Sequence, residues 1–182
     1  SEAVGIILNN LVGKNGRAGI VLQAGAGKAE KIRIEDNTVT GNAFAGIRMG
    51  TEAMGIILNN LISETSPGEP KAEGEVKMGD GVVMMADAWG EVRANTIHAN
   101  SRAAVLAHAC DATSLITLNK TSDNAYGVVV QGNDLDEAPA WNNADGEKQG
   151  EGGNGPEPSE PPGTQDLPSE ALDLNVGDVE TL

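Results

Sequence analysis

The chain has 182 residues, room for one domain with a sizeable core, and only four aromatic side chains, Phe44, Trp89, Tyr126 and Trp141. Its formal charge of −15 is uneven: from Asn133 onward thirteen acidic residues face one basic, Lys148, which leaves fourteen acidic and eleven basic before it. No basic stripe accompanies that charge, which excludes nucleic-acid binding; the lone Cys110 excludes a disulfide framework and reads as a small buried thiol; and no apolar run approaches the ~18 residues of a membrane span.

The predicted elements begin with the word GIILNNL at residues 5 to 11, which returns at residues 55 to 61. Aligning the chain on Asn10, Asn37, Asn60, Asn95 and Asn119 shows why. Three residues before each stands a β-branched side chain, Ile7, Ile34, Ile57, Val92 and Ile116, and two residues after stands Val12, Val39, Ile62, Ile97 or Thr121. Five residues after comes a second Asn, at 15, 42, 100 and 124, with Thr65 in the remaining copy. A Gly or small residue then opens a short alternating strand: Gly19 to Leu22, Gly46 to Met49, Gly81 to Met84, Ala104 to Ala107 and Gly127 to Val130. A unit of about two dozen residues, built of short strands between Asn and Gly turns, predicts a solenoid.

Stacking explains the letters. In a coil of parallel strands each residue sits above its counterpart at the ~4.8 Å strand spacing, so like residues pile on like. β-Branched groups then form inward columns, and the ladder residues Asn10, Asn37, Asn60, Asn95, Asn119, with Asn15, Asn42, Asn100 and Asn124, satisfy one another's amides. Two local expectations follow: that the ladder Asn itself takes the left-handed turn conformation, and that the Gly before the third strand serves a sharp turn. Alternation places Ile20/Leu22, Ile47/Met49, Val82/Met84, Val105/Ala107 and Val128/Val130 inward on that strand. The outward residues, Val21, Arg48, Val83, Leu106 and Val129, are too apolar for an open face, so a covering segment or partner is expected.

The run from Ile34 to Asn42, Ile-x-x-Asn-x-Val-x-x-Asn, followed by Gly46-Ile47-Arg48-Met49, resembles the right-handed parallel β-helix repeats of the pectate-lyase-like superfold. The resemblance covers about residues 3 to 135. It implies an all-β, right-handed parallel β-helix of about five turns with an internal Asn ladder, occupying residues 1–135. That superfold holds polysaccharide lyases, hydrolases and epimerases beside adhesins and non-catalytic surface proteins, so the fold alone does not select an activity. Its lyases place acidic metal ligands and a basic residue along one groove. The matching residues here are Glu52, Asp87, Asp111 and Asp134, at similar places on successive turns, as ligands for Ca²⁺, with Arg48 and His108 as base or anion stabiliser.

Two insertions and a tail interrupt the pattern. Residues 63–80, SETSPGEPKAEGEVKMGD, read as a solvated loop, and Ala24 to Lys31 only mimics a phosphate loop, because Leu22 replaces the upstream Gly and Ala29 the Mg²⁺-binding hydroxyl. Residues 136–182 read as a mostly disordered acidic tail or linker, within which Trp141 is placed to anchor the chain and Ala171 to Val176 to form one strand. The chain starts at Ser1 in mid-pattern, so the native N-terminus and any signal are expected upstream. The function expected is that of a secreted, cell-surface or periplasmic bacterial β-helix serving as non-catalytic scaffold, adhesin or carbohydrate-binding segment. The alternatives are a fragment of a polysaccharide lyase, epimerase or glycoside hydrolase, with polysaccharide as partner, and a solenoid that self-associates through its ends or its outward apolar face. No cofactor other than Ca²⁺ is expected.

Overall fold

The computed structural model describes residues 4–24, 31–68, 78–132 and 140–142. Within them every element is a β-strand and every strand pairing is parallel. The strands come in threes. The first coil holds β1 (Val4–Leu8), β2 (Leu11–Gly13) and β3 (Ile20–Leu22), and the second holds β4 (Lys31–Glu35), β5 (Thr38–Thr40) and β6 (Phe44–Met49). The third coil holds β7 (Met54–Leu58), β8 (Leu61–Ser63) and β9 (Gly79–Met84), the fourth β10 (Trp89–Arg93), β11 (Thr96–His98) and β12 (Ala103–His108). The fifth holds β13 (Leu115–Thr117), β14 (Lys120–Ser122) and β15 (Tyr126–Gln131), after which β16 (Ala140–Asn142) adds to β13. Three sheets result, with orders β1-β4-β7-β10-β13-β16, β2-β5-β8-β11-β14 and β3-β6-β9-β12-β15.

Stacking is in register along the whole solenoid. Ile7 lies opposite Ile34, Ile34 opposite Ile57, Ile57 opposite Val92, and Val92 opposite Ile116. In the second sheet Val12, Val39, Ile62, Ile97 and Thr121 form the matching column. These columns meet the inward residues of the third sheet in one core, where Ile34, Ile47, Met49, Ile57, Ile62, Val82, Met84, Val92, Ile97 and Ile116 are fully buried. Each such side chain contributes roughly 1.5–3 kcal/mol on leaving water. The expected inward set of the third strands is the observed one: residues 20, 22, 47, 49, 82, 84, 105 and 107 belong to this core, with Val128 and Val130 packed against it.

The corners follow a rule different from the expected one. At the corner between the first and second sheets the left-handed residue is the one before the ladder Asn: Asn9 (φ 55°), Asp36 (53°), Asn59 (57°), Ala94 (54°) and Leu118 (57°). The ladder Asn keeps a negative φ, which lets its side chain point along the stack instead of outward. The next corner does the same with Lys14, Gly41, Glu64, Ala99 and Asp123. Gly46 and Gly81 are also not turn residues, since neither has positive φ. They are small because the backbone of one coil and the core side chains of the second sheet close on them. A Cβ on Gly46 would stand 2.7 Å from the carbonyl oxygen of Gly81 and 2.7 Å from Ile62 Cγ2, and one on Gly81 2.5 Å from Ile97 Cγ2.

Of the segments singled out in the sequence, residues 25–30, residues 69–77 of the 63–80 insertion, Asp134, and the tail apart from Ala140–Asn142 lie outside the described residues. The ends of the insertion are structured: Ser66 bridges to Ala43, and Gly79-Asp80 begin β9. Trp141 stands in register with Ile116.

Candidate functional site

The Asn ladder is the most complete polar structure in the chain. Asn60 Oδ1 accepts the backbone N–H of Asn37 at 2.9 Å and Asn37 Nδ2 at 3.0 Å, while Asn60 Nδ2 donates to the carbonyl of Ile34 at 2.9 Å and to Asn95 Oδ1 at 3.0 Å. The same bonds join Asn10 to Asn37 and Asn95 to Asn119. Each ladder amide therefore serves both its neighbours and a turn backbone that no strand partner reaches, which is how Asn37, Asn60, Asn95 and Asn119 are buried without loss. The second ladder joins Asn15 to Asn42 and Asn100 to Asn124. It is broken at Thr65, whose backbone N–H donates to Asn100 Oδ1 at 3.0 Å but whose buried hydroxyl has no partner.

The outer face of the third sheet carries the residues expected to do chemistry. Arg48 and His108 both project from it, but Arg48 pairs in register with Val21 and Val83, Val83 with Leu106, and His108 with Gln131. Arg48 and His108 are therefore two strands and two residues apart, with Val83 and Leu106 between them. Nothing there unites them into an acid/base pair. Val83 and Leu106 are themselves buried, in a second apolar cluster with Ala45, Met78 and Met85, against which Ala18, Phe44 and Val129 pack. Met78 comes from the end of the long insertion, so the face is closed at its centre by this chain.

Burial decides the electrostatics of the two candidates. Both keep partial exposure, yet Arg48 Nε and His108 Nδ1 are buried without a hydrogen-bond partner. Desolvation lowers the pKa of Arg48, with the nearby positive charge of Arg17 adding to it, and desolvation lowers that of His108. That shift favours the neutral imidazole of His108.

The acidic residues do not form a single column. Glu52 (φ 57°) and Asp87 (φ 58°) occupy the left-handed corner between the third and first sheets, but the next occupants of that conformation are Ala109 (φ 46°) and Gly132 (φ 72°). Asp111 lies two residues past the corner and turns onto its own loop: its Oδ1 accepts the N–H of Thr113 at 2.7 Å and the Thr113 hydroxyl at 2.6 Å, and these bonds lower its pKa. Glu52, Asp87 and Asp111 are all exposed, and among the described residues no three His, Cys, Asp or Glu side chains are placed to hold a metal ion.

Among the described residues the buried carboxylate is Asp80. Fully enclosed, it accepts Arg102 Nε at 2.8 Å, Arg102 Nη2 at 2.6 Å and the N–H of Ala103 at 2.9 Å, locking the start of β9 to that of β12. Its position at the end of an apparent loop hid it in the sequence, and the only available signal was the 22-residue offset to Arg102, close to one coil.

The parallel repeat architecture agrees with a comparison to known families, in which residues 2–147 match the right-handed β-helix region. The chain belongs to that right-handed β-helix family. No curated protein and no solved structure matches this β-helix. What the family membership carries is the fold, and the residues on its faces must supply the rest.

Proposed function

We propose that this β-helix is a segment of a secreted or cell-surface protein, acting as a non-catalytic scaffold, adhesin or carbohydrate-binding surface. The observation that carries this reading is the closed third-sheet face. Val83 and Leu106 are buried with Met78 and Met85 where a catalytic cleft would need open polar groups, and they separate Arg48 from His108. The exposed, dispersed Glu52, Asp87 and Asp111 point the same way, because a Ca²⁺ site requires several oxygens converging at 2.3–2.6 Å. The competing reading, a lyase, epimerase or glycoside hydrolase fragment acting on acidic polysaccharide, draws on Arg48 as an anion stabiliser.

A panel of acidic polysaccharides separates the two. Incubated with the chain, with and without Ca²⁺, the panel is expected to yield no unsaturated or shortened products even where a polysaccharide is retained by the immobilised protein. Turnover that disappears in Asp87→Ala or Asp111→Ala would overturn the scaffold reading.

A further inference from the structure

We propose that Arg48 and Arg17 form a binding site for an organic carboxylate carried on a flat apolar body, at the second-coil end of the third-sheet face. Arg48 is the single charged residue in its outward column, between Val21 and Val83. Two other arginines hold a carboxylate: Arg33 Nη2 bonds Glu35 at 2.6 Å, although its Nε is likewise buried without a partner, and Arg102 forks onto Asp80. Arg48 shows no such anchor, and its Nε is buried without a partner in a chain of twenty-seven carboxylates. An unpaired, desolvated donor costs stability, and a carboxylate engaging the guanidinium edge through two parallel N–H bonds would remove that cost.

The second cation is placed by a strained turn. Phe44 has φ 64°, far from where a bulky side chain rests, and the N–H of Ala45 donates to the carbonyl of Ala43 at 2.8 Å, closing a γ-turn around it. That turn packs the ring against the second apolar cluster and against Gly68, where a Cβ would stand 1.9 Å from it. Arg17 then lies over the ring, its Cζ 5.1 Å from the centroid. Arg17 is near enough to Arg48 for its charge to lower the latter's pKa, so two cations converge where burial already opposes charge. Beside them Val21, 46% exposed, and the half-buried Phe44 offer an apolar floor. A charged head with a flat apolar body fits those surfaces better than a hydrated inorganic anion. The site does not depend on the scaffold reading, since neither arginine is assigned a role in it.

The test uses the full chain and benzoate as probe, with acetate and chloride at matched ionic strength. Benzoate is expected to shift the Arg48 Nε–H resonance saturably and to raise the melting temperature by about 3 °C at tenfold the dissociation constant, with acetate weaker and chloride inert. Arg48→Met is expected to melt no lower than the parent and to lose the benzoate response, and Arg17→Ala to weaken it several-fold. Arg48→Lys, which keeps the charge without the fork, should retain less than a tenth of the affinity. An unmoved Arg48 resonance, or the same melting shift in Arg48→Met and the parent, overturns the proposal; so does a full response in Arg48→Lys if Arg48→Met fails to fold.

Discussion

Leu118 shows what a single residue yields to its neighbours in a stack. It sits at φ 57°, 60% exposed, in the corner column headed by Asn9, Asp36 and Asn59. Asn and Asp tolerate that conformation, whereas leucine pays roughly 1–2 kcal/mol for it. The coil above dictates the backbone and Leu118 follows. Replacing it with glycine relieves the steric cost and adds about 0.5–1 kcal/mol of unfolded-chain entropy against the change. Leu118→Gly is therefore expected to gain up to about 1 kcal/mol in urea unfolding, while Leu118→Ala, which keeps its Cβ, gains nothing from the backbone. A Gly variant less stable than the Ala variant would show that the leucine side chain makes a contact the conformation hides. The corner column was legible in the sequence only through Asn9, Asp36 and Asn59; Ala94 and Leu118 carry no left-handed preference of their own, so reading them one at a time pointed to the ladder Asn instead.

At the scale of elements, period-two alternation placed the third-sheet residues correctly because inward and outward positions differ sharply in environment. Alternation could not show what lies over the outward side, since Met78 reaches it from an insertion whose spacing obeys no repeat. The same limit misplaced the acidic column: the connection from β12 to β13 carries Asp111 past the corner onto Thr113, which a count of residues from the strand does not reveal. Cys110 in that connection did read correctly as a buried thiol, and burial pushes it up to about 11 from its ordinary value of 9.0. Below pH 9 the thiol is expected to resist a soluble alkylating reagent until the chain unfolds. Because the folded pKa is the higher one, the contribution of the protonated thiol is fully present below about pH 9 and is lost as pH rises through about 11. Urea midpoints at pH 8 and pH 10.5 should thus fall further in the parent than in Cys110→Ala. Equal falls, or labelling of the native thiol at pH 8, would contradict the burial.

The outward halves of the two GIILNNL copies separate by place in the stack. Ile6 and Leu8 on β1 are exposed, Ile6 by 58%, while Ile56 and Leu58 on β7 are half-buried between the Arg33–Glu35 pair of β4 and Glu91 and Arg93 of β10. Repetition of the word reflects the inward Ile and the ladder Asn, which every coil needs.

For the molecule as a whole, the solenoid was legible because its stability is distributed through columns, and a column repeats one residue type often enough to be seen. The departures from the columns were less legible because each is a single residue: Arg48 among apolar neighbours, Asp80 at the end of an insertion, Thr65 in an Asn ladder. The central claim is that the polar columns hold the coils together by mutual satisfaction. Asn60 and Thr65, five residues apart, test it directly. Asn60→Leu strands the backbone N–H of Asn37 and takes the amide donor from the carbonyl of Ile34, at about 1–3 kcal/mol for each such group, while Asn37 Nδ2 keeps the carbonyls of Ile7 and Glu35; Thr65→Val removes a buried hydroxyl that bonds nothing. Urea unfolding of the two variants is expected to show a loss of at least about 2 kcal/mol for Asn60→Leu, and for Thr65→Val a change within about 0.5 kcal/mol or a gain. A Thr65→Val variant as damaged as Asn60→Leu, or an Asn60→Leu variant as stable as the parent, would contradict the account.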